Sequence, residues 1–179
     1  ETGWEMFVPE GVEEIAPGAF AGMKNLRRVQ LPKTLRRIGA AAFYGCENLT
    51  QITLPAGLVE LGTAAFKNSG LQEVSVPTRA LKLGCEVFAD SALRCAEIKG
   101  RQTGEAMFRG CRQLTKLQLN SNTRKIEAGM FRDCAALKTL RLPEKLEQIG
   151  IEAFAGCGAL ERLSIPESVR EMGAVSYTH

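Results

Sequence analysis

The chain has 179 residues, of which 45% are hydrophobic and 24% are charged, a composition typical of a chain that buries one sizeable core. Its 23 basic and 20 acidic residues are scattered and leave a net charge of +3, so no basic stripe favours nucleic acid as a partner. No apolar run approaches the roughly 18 residues of a membrane span, and membrane insertion is therefore not expected.

A phenylalanine recurs along the whole chain at intervals of 20 to 23 residues, which is the signature of a stacked repeat protein. The recurring residues are Phe20, Phe43, Phe66, Phe88, Phe108, Phe131 and Phe154. A leucine column accompanies them at Leu26, Leu49, Leu71, Leu93, Leu114, Leu137 and Leu160. We therefore predict a single repeat domain over residues 1–179 that contains about 7–8 copies of one unit.

Each copy begins with a short predicted strand. In Leu137-Lys-Thr-Leu-Arg-Leu-Pro143, apolar and polar residues alternate, so Leu140 and Leu142 face inward while Thr139 and Arg141 face outward. The proline ends the strand, because proline has no N–H to donate to a ladder and fixes its own φ.

Two further segments complete each copy. A second apolar pair, such as Leu146 and Ile149, predicts an inner wall opposite the strand. An Ala-Phe pair, such as Ala153-Phe154, then predicts a short helical turn that places its ring in the core. Two residues after each Phe stands Gly, Asn or Asp. These residue types best tolerate left-handed backbone, so the turn is expected to stop there.

The unit is nearly whole in residues 26–49 and 137–160, and it resembles the BspA-like (treponemal-type) leucine-rich repeats. The resemblance implies an α/β fold: a right-handed solenoid with a parallel β-sheet on its concave side, and with short helical turns and short extended segments elsewhere. It also implies a role in adhesion or protein binding, no catalytic residues and no cofactor. An extracellular or cell-surface location is favoured on the same ground.

Two regions depart from the regular unit. Ten steps separate Ile98 from Phe108 where twelve are usual, so we expect residues 101–104 to cut short the inner wall opposite the strand. Neither end has a recognisable cap, and Tyr177 stands where the next Phe would fall, so we expect the parent protein to continue. One interpretation of residues 1–3, which precede the pattern, is a remnant of cloning.

Cys46, Cys111, Cys134 and Cys157 occupy one column of the repeat. A row of sulfurs about 4.8 Å apart suggests a metal site or disulfides. However, zinc ligands converge from several directions and disulfides need Cβ atoms about 3.8 Å apart, whereas a repeat column presents parallel side chains. Buried free thiols are the favoured interpretation. Cys95 lies off this column, in an outward strand position.

The sequence offers little enzymatic chemistry. Its only histidine, His179, is the last residue, so a Ser-His-Asp or Cys-His arrangement would depend on a chain terminus. Phosphate-loop, dinucleotide-binding and zinc-protease motifs are missing. Asn48-Leu-Thr50 matches the glycosylation sequon, for which chance is the alternative explanation.

The outward strand residues define a candidate binding face on the predicted concave side. They are Arg28, Gln30, Gln51, Thr53, Glu73, Ser75, Glu97, Lys116, Gln118, Thr139, Arg141, Arg162 and Ser164. This surface is polar and mixed in sign, so it suits a protein, or a glycan, better than an apolar small molecule. The alternative is that these positions are simply solvated.

Two functions follow from the pattern. The first is a non-enzymatic scaffold that binds or adheres to a protein through the concave face, as solenoids do. The second is a structural spacer or assembly module within a larger surface or multi-subunit protein.

Overall fold

A computed structural model describes residues 3–174, so Tyr177 and His179 lie outside the described residues. The chain winds through about seven solenoid turns, here called coils. Short strands in one coil pair in parallel with strands in the neighbouring coils. Coils 1–8 comprise residues 4–25, 26–48, 49–70, 71–92, 93–113, 114–136, 137–159 and, in part, 160–174.

All regular elements among residues 3–174 are short β-strands, which fall into a front set and a back set. In chain order they are β1 Trp4–Phe7, β2 Glu14–Ile15, β3 Leu26–Gln30, β4 Arg37–Ile38, β5 Gln51–Ile52, β6 Glu60–Leu61, β7 Glu73–Val76, β8 Lys82–Leu83, β9 Cys95–Ile98, β10 Lys116–Gln118, β11 Lys125–Ile126, β12 Gln148–Ile149 and β13 Glu171–Met172.

The front strands lie where the leucine-rich segment predicts them. They form two parallel sheets, β1-β3-β5 and β7-β9-β10, and a bridge joins Thr139 to Arg162 in coils 7 and 8. In β3, Leu26 and Val29 are buried while Arg28 and Gln30 are exposed. The predicted alternation of inward and outward side chains is therefore confirmed.

The back strands form the predicted opposite wall, also with parallel pairing. One sheet has the order β2-β4-β6-β8 and the other the order β11-β12-β13. Coil 5 contributes no back strand among the described residues, since residues 101–104 are irregular. The expected interruption of this wall is confirmed. Thr103 bridges the gap by donating its hydroxyl to the carbonyl of Lys125 at 2.8 Å.

The prediction of short helical turns around each Phe is wrong, because residues 3–174 contain no helix. The backbone N–H groups of this segment alternate between two kinds of acceptor. The N–H of Phe43 donates to the carbonyl of Ala65 in the next coil at 2.8 Å, whereas the N–H of Tyr44 donates to Ala41 in its own coil at 3.1 Å. An α-helix would direct every N–H to the residue four places back. The segment is instead a series of turns that pair with the neighbouring coil.

Left-handed residues on both sides of each Phe explain why no helix forms. The predicted column two places after Phe is left-handed throughout, as at Asn68 with φ 58°. A second column two places before Phe was missed, because alanine and glutamate occupy most of it. Its members are Gly18, Ala41, Ala64, Glu86, Ala106, Gly129 and Glu152, all with positive φ.

The core is a continuous apolar column with a stack of phenylalanine rings at its centre. Successive ring centroids from Phe20 to Phe154 are 5.1–6.0 Å apart and the planes differ by 3–24°. These distances are within the range of favourable aromatic stacking. Each ring therefore packs against one ring on either side, apart from those in the first and last positions.

Removing one ring is expected to destabilise the fold strongly. Phe131 is fully buried between Phe108 and Phe154, so Phe131→Ala should cost about 3–5 kcal/mol and lower the Tm by roughly 6–20 °C. Thr139→Ala, at an exposed front position, should cost less than about 0.5 kcal/mol. Thermal unfolding followed by circular dichroism measures both. Equal shifts would mean that the inward and outward faces have been assigned in reverse.

Adjacent alanines in coil 3 provide a test of the left-handed turn. Ala64 has φ 57°, and a non-glycine residue in this region costs about 1–2 kcal/mol, so Ala64→Gly should raise the Tm slightly. Ala65→Gly is the matched control: Ala65 is fully buried and has no left-handed strain, so the loss of its methyl group should lower the Tm. Two shifts of the same sign would contradict the strain assigned to Ala64.

Candidate binding face

The front strands arrange the predicted site residues in two parallel columns, here called the front face. The first column runs through Glu5, Arg28, Gln51, Glu73, Cys95, Lys116, Thr139 and Arg162, and the second through Phe7, Gln30, Thr53, Ser75, Glu97, Gln118, Arg141 and Ser164. Glu97 and Cys95 are half-buried and the other members are exposed. Adjacent members are about 4.8 Å apart, the spacing of neighbouring strands.

The middle of the front face is an open groove. Its floor is made by apolar residues such as Val74 and Ala96, and its walls by side chains from coils 4–7. Thr115 also lines this groove, although it lies one position before the predicted first column. Sequence reasoning missed this third column. Strict alternation assigns outward positions to every second residue, but two consecutive residues after the buried leucine of each strand face outward, and the first of them forms this column. It contains Arg27, Thr50, Gln72, Arg94, Thr115, Lys138 and Glu161, here called the marginal column.

The ion pairs of the described chain all lie away from the front face. On the back wall and beside the turns, several charges pair between coils, as Arg124 does with Glu147 and Arg132 with Glu152, both at 2.8 Å. Within residues 3–174, the front-face side chains make no ion pair and no hydrogen bond to another protein group. Their donors and acceptors are therefore free to meet a ligand.

The cysteine column is buried, as predicted, and each thiol has a backbone partner. The Sγ atoms of Cys46, Cys111, Cys134 and Cys157 donate to phenylalanine carbonyls of the neighbouring coil at 3.0–3.2 Å. Burial raises the pKa of all four, and those of Cys111 and Cys157 reach about 11. These thiols therefore act as structural hydrogen-bond donors within the core.

Two other cysteines have different surroundings. Cys95 lies in the first column of the front face, in register between Glu73 and Lys116. Cys85 is exposed near the turns, with its Sγ 3.6 Å from a carboxylate oxygen of Glu105. Partial burial and then the charge of Glu105 raise the pKa of Cys85.

Thiol reactivity should separate these classes. Because a reagent can reach its sulfur in the folded protein, Cys85 should react first with a thiol-specific chromogenic reagent at pH 8, while the four column cysteines should react only on unfolding. Cys85→Ser is the control and should remove the fastest phase, while the half-buried Cys95 still reacts before the column cysteines. Comparable rates for Cys85 and the column cysteines would contradict the burial of the thiol column.

The sequon asparagine lies outside the front face. Asn48 is exposed just before β5, and its side-chain amide donates to the carbonyl of Lys24 in coil 1. Its glycosylation stays a prediction. In the described part of the chain, no segment forms a helix suited to crossing a membrane.

Comparisons with known proteins agree with this architecture. A family model described as the BspA type leucine-rich repeat region, with six copies, matches residues 4–103 and 101–179. No curated protein sequence gives a significant match.

Solved structures of bacterial leucine-rich repeat proteins resemble this chain. One from Bacteroides ovatus is 27% identical with a TM-score of 0.82, and the alignment covers 94% of this chain and 45% of that protein. The T. pallidum leucine-rich repeat protein is 31% identical with a TM-score of 0.65, and the alignment covers 97% of this chain and 74% of that protein. A leucine-rich cell surface protein from Faecalibacterium prausnitzii, at 24% identity and a TM-score of 0.56, shares the fold over 94% of this chain and 59% of that one.

Proposed function

The chain belongs to the BspA-type leucine-rich repeat family, and we propose that it is a non-enzymatic scaffold that binds a protein partner through its front face. One observation carries this proposal. The charged and amide side chains of the front face make no ion pair or hydrogen bond within the described protein, whereas the ion pairs of residues 3–174 all lie on other surfaces. A protein ligand would supply those missing partners, and the open groove of coils 4–7 gives it a surface to follow.

The composition of the front face favours a protein over a small molecule. Polar side chains from successive coils spread over a long, open surface, whereas small-molecule sites are enclosed and mostly apolar. Exposed threonine, serine and glutamine side chains lie between the charges and can both donate and accept hydrogen bonds. These groups can bond to the backbone and side chains of a partner polypeptide.

We also propose that the partner is met outside the cell or at its surface. The family resemblance supports this location, and the F. prausnitzii protein, which shares the fold, is named a cell surface protein.

Charge reversal on the front face tests the binding role. Arg141→Glu combined with Arg162→Glu should weaken a partner captured by the immobilised protein at least tenfold, because two attractive contacts become repulsive. Binding is measured by pull-down and then by surface plasmon resonance with the captured partner. Unchanged binding would contradict a role for this part of the front face.

A matched variant controls for net charge. Lys24→Glu combined with Arg112→Glu changes the total charge equally, but both residues lie beside the turns and away from the front strands. This variant should bind as the unmodified protein does. If neither variant affects binding and the full-length protein forms large assemblies, the spacer role is supported instead.

A further inference from the structure

From coil 4 to coil 8, the charges of the front face are separated by sign along the solenoid. The first two coils carry one charge of each sign, Glu5 and Arg28. Coils 4 and 5 carry the carboxylates Glu73 and Glu97, whereas coils 6–8 carry the cations Lys116, Arg141 and Arg162. Because each coil contributes one residue to each column, the order of charges along the chain becomes an order of charges along the solenoid. Coils 4–8 of the front face therefore form an acidic part followed by a basic part.

The marginal column preserves this separation. It adds Arg94 to coil 5, and Lys138 and Glu161 to coils 7 and 8. Coils 6–8 then hold four cations against one carboxylate, while coils 4–5 hold two carboxylates against one cation.

Within each column from coil 4 to coil 8, opposite charges do not lie on neighbouring strands. Within the first column Cys95 separates Glu73 from Lys116, and within the second column Gln118 separates Glu97 from Arg141. Two strand spacings amount to about 9.6 Å, which is close to the screening length at 0.1 M salt. Within residues 3–174, none of these groups has an oppositely charged partner within ion-pair distance. Both parts of the face thus keep their charge for a ligand.

We propose that this face binds a polypeptide segment whose own charge changes sign: basic residues lie over coils 4–5 and acidic residues over coils 6–8. The proposal rests on the protein-binding role given above and specifies the partner's chemistry. Sulfated glycans and nucleic acids carry one sign of charge throughout, so Glu73 and Glu97 would repel part of any such chain that continued along the groove. Polypeptides can alternate in sign over this length.

The length of the matching segment follows from the strand spacing. Glu73 and Arg162 are four coils apart, or about 19 Å. An extended polypeptide covers this distance with about six residues, at about 3.4 Å per residue. A ten-residue peptide is therefore long enough to contact both parts of the face.

The test uses the whole chain and three probes in fluorescence anisotropy at low salt. The first probe is a ten-residue peptide with two lysines at one end and three glutamates at the other, separated by serine and glycine. The second has the same composition with its charges interleaved, and the third is a heparin tetrasaccharide. The segregated peptide should bind at least fivefold more tightly than either of the others. Equal peptide affinities, or tighter heparin binding, would overturn the proposal.

Protein variants locate the two ends of the peptide. Arg141→Glu combined with Arg162→Glu should reduce affinity for the segregated peptide at least fivefold and remove its advantage over the interleaved one. A peptide with lysines at both ends should then bind this variant better than it binds the unmodified protein. If the variant binds all three peptides as the unmodified protein does, the proposal is wrong.

The opposite exchange tests the acidic part. Glu73→Lys combined with Glu97→Lys should leave only basic charges in the two columns from coil 4 to coil 8, and heparin should then bind at least fivefold more tightly than to the unmodified protein. An unchanged affinity for heparin would show that these carboxylates do not select against polyanions. Circular dichroism checks that each variant keeps its β-structure.

The two proposals can fail separately. If no probe binds, but the captured partner is still lost with Arg141→Glu and Arg162→Glu, the order of charges in the partner is wrong while the binding role stands. If the captured partner is also unaffected, both proposals are wrong.

Discussion

The fold depends on the division of backbone N–H groups between a coil and its neighbour. In the turn around Phe43, one N–H bonds within the coil and the next bonds to the following coil, and this alternation recurs in every turn segment from coil 1 to coil 7. The inter-coil bonds fix adjacent coils at the spacing of parallel strands. Because these bonds hold successive turns in register, the phenylalanine rings stack and the thiols reach the carbonyls of the neighbouring coil.

The sequence predicts the elements whose residue types indicate their conformation and misses those whose residue types do not. The front strands follow from alternation in segments such as Leu137–Pro143, and the left-handed column after Phe follows from Gly, Asn and Asp. The helical turn, predicted from the Ala-Phe pair, was wrong because the residue before that pair is left-handed, and alanine there, as at Ala41 and Ala64, is a good helix former that gives no local sign of this conformation. Their left-handed conformation is imposed by bonds to the next coil, which is a tertiary constraint that local propensity does not contain.

The cysteine column shows the same distinction. Its burial could be predicted, because the column lies in register with Phe and Leu. The hydrogen-bond acceptor of each thiol could not be predicted, because it belongs to the neighbouring coil. The acceptor lies 26 residues before Cys46 and Cys134 and 23 residues before Cys111. Ser69 occupies this column in coil 3, and its hydroxyl is buried without a hydrogen-bond partner in the described structure. Hydroxyl oxygen lies closer to its own backbone than a thiol sulfur does, which explains why cysteine suits this position.

The candidate site was likewise predictable as two columns, but the marginal column and the unpaired state of the charges required coordinates.

The interruptions of the two walls are staggered. The back wall lacks a strand in coil 5, and that is where the front sheet β7-β9-β10 runs unbroken across coils 4–6. The front wall is interrupted between β5 and β7, where the back sheet β2-β4-β6-β8 continues from coil 3 to coil 4. Between coils 1 and 6, wherever one wall is interrupted between two coils, the opposite wall is continuous across the same two coils. A pulling force along the solenoid axis would therefore act on at least one hydrogen-bonded ladder between every two neighbouring coils from 1 to 6. We expect these coils to unfold together rather than to separate first at coil 5.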